Sequence, residues 1–127
     1  MKGEEKRRQI RVFTSVPITF HSERSEGEMN GQMIDVSLSG MRFASSEQVE
    51  LNANLKMKFV LPNNLGCIFI GKVVTKAGGD NQQIYGVNFI KQDPVERMNL
   101  SEYIMDARME QEKWIRGKSS EKPGAKK

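Results

Sequence analysis

The strongest constraint on the fold is a run near the middle of the chain in which every second residue is a large apolar one. Leu55, Met57, Phe59 and Leu61 alternate with two lysines and a valine. A period of two is typical of a β-strand with one face against a core and the other in solvent. A strand of this kind needs neighbouring strands to bury its apolar face, so the pattern predicts a β-sheet protein.

Five further segments are strand-like, and residues typical of turns separate them. The segments are Val16–Phe20, Gln32–Val36, Gly40–Ala44, Cys67–Thr75 and Ile84–Ile90. Gly78-Gly79-Asp80-Asn81 is predicted to close a hairpin between the last two. The chain has 127 residues, which suits one domain. Six short strands at this spacing predict an all-β fold, a six-stranded antiparallel β-barrel over residues 13–92.

A helix is predicted to follow the strands, over residues 93–117. Asp93 is a suitable N-cap, Pro94 fits the first helical position, and Glu96 completes the spacing of a capping box. Leu100 and Ile104 begin an apolar stripe that would face the barrel. Gly117 is the expected end of the helix.

Two further expectations concern the surface of this helix and the segment after it. Met98, Met105 and Met109 are expected to pack against the barrel as flexible apolar side chains. Residues 118–127 consist mainly of lysine, serine, glycine and proline. This composition has little to bury and predicts a disordered basic tail.

The distribution of charge limits the kind of partner. The net charge is +4, made of +3 in residues 1–11, −4 in residues 12–112 and +5 in residues 113–127. A protein that binds nucleic acid polymers is expected to carry basic residues across a folded face. Here the positive charge lies at the two ends, which favours a small anionic ligand at one end and a solvated tail at the other.

Two local motifs carry the candidate binding chemistry. The first is Arg7-x-x-x-Arg11, within a basic N-terminal arm predicted to be flexible over residues 1–12. The second is Asp35-Val36-Ser37-Leu38-Ser39-Gly40. Together, in this order, they resemble the sequence signature of the PilZ domain family. Tyr85–Phe89 also resembles a late glycine-containing strand of that family, and the resemblance covers roughly residues 5–105.

The resemblance implies a PilZ-like barrel with a C-terminal helix that binds the bacterial second messenger cyclic di-GMP. Carried over by position, the binding residues are Arg7, Arg11, Asp35, Ser37 and Gly40, with Arg8 as an auxiliary contact. The resemblance also implies that the arm folds over the ligand and that the second motif contacts a guanine. Whether one ligand molecule or a stacked pair binds is left open.

The chemistry of these residue types agrees with such a ligand. Cyclic di-GMP is a dianion, and a guanidinium can donate two hydrogen bonds to a phosphate or to guanine O6 and N7. Ionised Asp35 offers acceptors to the N1–H and N2–H₂ donors of guanine. Gly40 is expected to let the backbone turn with positive φ and to approach the ligand closely.

The resemblance and the composition together predict a non-enzymatic receptor of the bacterial cytoplasm with a protein partner still to be identified. No nucleophile–base pair, metal-ligand cluster or cofactor motif is present in the sequence, and Met1–Arg11 is not a secretory signal. No stretch is apolar enough to insert into a membrane. One alternative is a PilZ-like adaptor that binds proteins but no nucleotide. Another, a barrel that binds RNA or single-stranded DNA, is disfavoured because the phenylalanines are expected to face inward.

Overall fold

The computed structural model describes residues 10–23, 27–79 and 81–124, with side chains as far as residue 113. These residues form six strands and one helix. The strands are β1 (Val12–Ser22), β2 (Met29–Val36), β3 (Gly40–Ser45), β4 (Asn54–Val60), β5 (Gly66–Gly78) and β6 (Gln83–Gln92), and the helix is α1 (Pro94–Gly124). Each strand predicted from the sequence is present, and most are longer than predicted.

The strands form a closed antiparallel barrel in the order β1-β2-β3-β6-β5-β4. β1 closes the barrel because it pairs with a strand on each side. Its residues 12–20 pair with β2, and its residues 18–22 pair with β4. The other neighbouring strands are also antiparallel. β2 and β3 share four paired positions, and the remaining neighbours share six to nine. The predicted six-stranded antiparallel barrel is confirmed.

The alternating apolar residues fill the inside of the barrel. The four apolar residues from Leu55 to Leu61 that define the pattern are all buried, whereas the lysines between them are exposed. Phe43 lies at the centre of one aromatic cluster, with ring centroids 5.0 Å from Phe20 and 5.3 Å from Tyr85. Contacts of this geometry add to the gain from burial alone. Phe20, Phe43 and Phe59 are buried in the core and Phe89 packs against it, as the sequence predicts, whereas Phe13 is exposed.

The hairpin between β5 and β6 and the start of β1 refine the predicted boundaries. Gly78 has a φ of +136°, and Gly79 N–H donates to the carbonyl of Gln82 at 3.1 Å, so a turn forms at the predicted position.

β1 begins at Val12, four residues before the predicted strand and inside the predicted arm. Val12 is 1% exposed and belongs to the core. Residues 10–12 are therefore part of the barrel and not of the predicted flexible arm.

The N-terminus of α1 confirms one capping prediction and corrects another. Asp93 Oδ1 accepts a hydrogen bond from Val95 N–H at 2.9 Å, as expected of an N-cap. Glu96 does not close a capping box: its Oε1 accepts from the backbone N–H of Ile68 at 2.6 Å. The helix begins so close to β5 that this carboxylate binds a strand amide, and it thereby fixes the helix to the barrel.

The rest of α1 differs from the prediction in its length and in its outer face. Leu100 and Ile104 are buried against the barrel as predicted, but Met98, Met105 and Met109 are about half exposed or more. Because their side chains are largely exposed, the expectation that they pack on the barrel is wrong. The helix also continues past Gly117 to Gly124, so residues 118–124 are helical where a disordered tail was expected. A single glycine costs a helix only about 1 kcal/mol.

Truncating Phe43 to alanine should greatly destabilise the barrel, because a fully buried ring between two other aromatic rings would be lost. We expect Phe43→Ala to lower the free energy of unfolding by about 3–5 kcal/mol. Phe13→Ala is the matched control, since Phe13 is 68% exposed and its loss should change stability by less than about 0.5 kcal/mol. Urea unfolding measures both. Equal destabilisation by the two variants would contradict the assignment of the core.

Candidate functional site

The candidate site is built around the tight connection between β2 and β3. Ser37 N–H donates to the carbonyl of Gly40 at 2.8 Å, which closes the loop. The Ser37 hydroxyl accepts from Ser39 N–H at 3.2 Å and lies 3.4 Å from the Gly40 carbonyl, to which it donates. Ser37 is completely buried. Its hydroxyl therefore holds the loop in shape, a use of serine that is common in turns.

Gly40 is required for close packing, not for an unusual φ. Its φ is not positive, so the expectation of a left-handed turn at this residue is wrong. A Cβ at Gly40 would lie 2.1 Å from the carbonyl oxygen of Val87 on β6. Phe89 N–H also donates to the Ser39 carbonyl at 2.8 Å. Glycine thus allows the β2–β3 loop to lie directly against β6.

Asp35, the last outward-facing residue of β2 before this loop, is held between two arginines. Its Oδ1 accepts from Arg11 Nη1 at 2.8 Å, and its Oδ2 accepts from Arg42 Nε at 2.9 Å and Nη2 at 2.6 Å. The Asp35 side chain is 1% exposed, whereas those of Arg11 and Arg42 are 44% and 48% exposed. The carboxylate thus lies beneath two guanidinium groups, each of which still has donors facing solvent.

Arg42 is a site residue that the sequence motifs do not include. It lies directly opposite Asp35 in the β2–β3 ladder. The hydrogen bond to Asp35, and then the charge of that carboxylate, raise the pKa of Arg42 above its ordinary value. Opposite charges at facing positions of an antiparallel pair stabilise each other. The short β2–β3 loop fixes the register of this hairpin. From that register, the sequence could have indicated that Arg42 faces Asp35.

A surface cavity of about 380 Å³ lies over this cluster and extends across β6 to β5. Its lining includes the three charged residues Arg11, Asp35 and Arg42, and it also includes Asn88 on β6 and Thr75 on β5. Guanidinium donors at one end and neutral polar groups at the other suit an anion that also carries hydrogen-bonding rings. This cavity is the candidate binding site.

The opposite side of the β2–β3 loop is tied to the start of α1. The carbonyl of Leu38 accepts from Gln92 Nε2 at 3.2 Å and lies 3.5 Å from Arg97 Nη1. Arg97 also donates to Gln92 Oε1 at 3.2 Å. Ile10, next to Arg11, is partly buried against the core and lines a second cavity of about 320 Å³ together with Leu38 and helix residues. The loop is therefore hydrogen-bonded to residues around the start of α1 and shares a cavity with Ile10.

The structure brings together four of the six residues that the sequence singles out. Arg11 and Asp35 are hydrogen-bonded, and Ser37 and Gly40 form the adjoining loop. Arg7 and Arg8 lie outside the described residues. Among the described side chains of residues 10–23, 27–79 and 81–113, no group of three or more histidine, cysteine, aspartate or glutamate residues could hold a metal ion. No helix in the same part of the chain is long and apolar enough to cross a membrane.

Fold and site together define a small closed β-barrel that presents an arginine–aspartate cluster beside a tight loop. The PilZ domain model matches residues 5–106. This chain therefore belongs to the PilZ domain family. A comparison with curated protein sequences gives no significant match.

Solved structures of the same fold include proteins from several bacteria. The PilZ domain of YcgR from Escherichia coli, with cyclic di-GMP, superposes with a TM-score of 0.68 at 12% identity, covering 92% of this chain and 98% of that domain. MotI/DgrA of Bacillus subtilis, an inhibitor of motility, gives 0.71 at 10% identity over 81% of this chain and 51% of its own. Apo MrkH of K. pneumonia gives 0.69 at 12% identity over 84% and 52%. The chain thus spans about half the length of MotI/DgrA and MrkH.

Replacing Arg42 should destabilise the protein, because Oδ2 of the buried Asp35 would lose both of its hydrogen-bond donors. We expect Arg42→Ala to lower the free energy of unfolding by about 1–3 kcal/mol. Arg108→Ala is the matched control, since Arg108 pairs with Glu112 at 3.0 Å on the exposed face of α1, and such a pair is worth about 0.3–0.5 kcal/mol. Thermal or urea unfolding compares them. If Arg42→Ala is no less stable than Arg108→Ala, the ion pair with Asp35 is not a stabilising element.

Proposed function

We propose that this chain is a non-enzymatic receptor for cyclic di-GMP and that the ligand binds in the cavity over Asp35. The observation that carries the proposal is the pair of half-exposed arginines, Arg11 and Arg42, held by one buried carboxylate. Membership of the PilZ family and the fold shared with a YcgR domain that contains cyclic di-GMP support the choice of ligand.

The cluster is suited to a dianion because it positions cationic donors in advance. An arginine has five N–H donors, and Arg11 uses one of them on Asp35 while Arg42 uses two. The remaining donors can bind phosphate oxygens or guanine O6 and N7. Since Asp35 is buried, its main contribution in this proposal is to orient the two guanidinium groups, and direct contact with a guanine is secondary.

The N-terminal arm supplies the second part of the proposal. Arg7 and Arg8 precede Arg11 by only four and three residues, so they can reach a ligand that Arg11 already contacts. We infer that cyclic di-GMP orders residues 2–9 over the cavity, since Ile10 and Arg11 are already held against the barrel. Ordering a residue costs about 1–2 kcal/mol of backbone entropy, so affinity is expected to be modest for the number of contacts.

A route to a protein partner runs through the β2–β3 loop. A ligand bound on the Asp35 side of the loop is expected to shift Leu38. The carbonyl of Leu38 accepts hydrogen bonds from Gln92 and Arg97 at the start of α1. The outer face of this helix carries the exposed methionines Met98 and Met105. Exposed methionines adapt well to partner surfaces. A change in the position of this helix is the signal that we propose the partner detects.

Replacing Arg11 should weaken ligand binding without unfolding the barrel. We expect Arg11→Ala to raise the Kd for cyclic di-GMP by roughly five- to a hundredfold, as the loss of a bidentate contact implies. Arg11→Lys should recover little, because an ammonium lacks the planar pair of donors. Isothermal titration calorimetry gives the affinity and the number of ligand molecules bound.

Arg108→Ala controls for the loss of one arginine elsewhere on the protein and should bind like the wild type. A wild-type protein that gives no heat with cyclic di-GMP, while remaining folded, would favour the alternative of an adaptor that binds proteins but no nucleotide. Wild-type affinity in Arg11→Ala would instead show that the ligand binds away from the Asp35 cluster.

Ordering of the arm should be visible by amide hydrogen exchange. Amides of residues 2–9 are expected to exchange rapidly in the free protein and to become protected at saturating cyclic di-GMP, whereas those around Phe59 and Phe89 should change little. Peptide-level mass spectrometry makes the measurement. The same protection of the arm with and without ligand would mean that the site is preformed, and it would contradict the ordering mechanism.

A further inference from the structure

The position of Asp35 leaves little capacity for binding a base edge. A carboxylate has about four lone-pair positions, and the hydrogen bonds from Arg11 and Arg42 use three of them. Its side chain is 1% exposed beneath the two arginines. The Watson–Crick edge of guanine presents the N1–H and N2–H₂ donors beside the O6 acceptor. An acceptor for these donors has therefore to come from another residue.

Asn88 is placed to supply that acceptor. It lies on β6 directly opposite Gly40 and lines the same cavity as Arg11 and Arg42. Residues that face each other in an antiparallel ladder lie on one side of the sheet, so Asn88 is on the outer face beside the β2–β3 loop.

The carboxamide of Asn88 is available for a ligand. The residue is exposed, and its side chain makes no hydrogen bond to any residue in the described part of the chain. On the same face of β6, the residue opposite Arg42 is Gly86. Gly86 has no side chain, and the hydroxyl of Thr75 on β5 lies over it, so only this small polar side chain separates Asn88 from Arg42. Both residues line the same cavity, and one ligand can therefore contact both.

We propose that Asn88 determines specificity for guanine, an inference that rests on the proposed binding of cyclic di-GMP. The arginines bring only donors, so the part of the base that faces them has to be an acceptor, such as guanine O6. The neighbouring N1–H then lies toward Asn88 and donates to its Oδ1. Adenine in the same place would turn the N6 amino donor toward the guanidinium groups and would offer no N1–H to Asn88.

The test compares the binding of cyclic di-GMP with that of cyclic di-AMP, which has the same ribose–phosphate ring and adenine bases. Asn88→Ala should raise the Kd for cyclic di-GMP about tenfold or more, since a guanine donor is left without its acceptor. Its Kd for cyclic di-AMP, measured by competition, should stay within about twofold of the wild-type value. Asn81→Ala, the same change in the β5–β6 hairpin, is the matched control and should alter neither.

Each outcome separates this inference from the proposed function. Wild-type protein that does not bind cyclic di-GMP would refute the proposed function, and the role of Asn88 with it. If wild type binds and Asn88→Ala binds equally well, the role of Asn88 alone is refuted. If Asn88→Ala raises the Kd for cyclic di-GMP and the Kd for cyclic di-AMP equally, Asn88 contacts the ribose–phosphate ring. That result would overturn its assignment to the base. Unfolding midpoints for the three proteins check that the substitutions leave the barrel intact.

Discussion

Closure of the barrel through β1 is the constraint on which the site depends. Because β1 pairs with both β2 and β4, the sheet closes on itself and its apolar residues share one interior. The same pairing sets Phe13 opposite Asp35. Arg11, just before β1, is therefore placed next to the carboxylate of Asp35 on β2. It is part of the site before any ligand binds.

Burial of Asp35 then determines how the cationic groups are arranged. An ionised carboxylate that is removed from water needs close charged donors, and here two arginines from different strands supply them. Their half-exposed side chains keep the outer surface of the cluster positive. A single acidic residue thus fixes two flexible side chains at the mouth of one cavity. Preorganisation of this kind reduces the entropy lost when an anionic ligand binds.

The β2–β3 loop joins this cluster to the rest of the molecule through backbone contacts. Gly40 lets the loop lie against β6, and the carbonyl of Leu38 is linked to the start of α1. Glu96 holds the same helix to the barrel through the amide of Ile68. The loop and the strand β5 are therefore each joined to the start of α1 by hydrogen bonds.

The sequence by itself determined the six strands, the barrel and the helix, because alternating apolar residues and turn residues are local signals that burial reinforces. It also singled out Arg11, Asp35, Ser37 and Gly40, since the two motifs are contiguous in the chain. Only the tertiary structure decided what these residues contact. Arg42 and Asn88 join the site through cross-strand register, and the outward face of α1 is set by how the helix docks. The pairing of Arg42 with Asp35 follows from a short hairpin, but the position of Asn88 and the docking of the helix depend on residues far apart in sequence, so no local pattern encodes them.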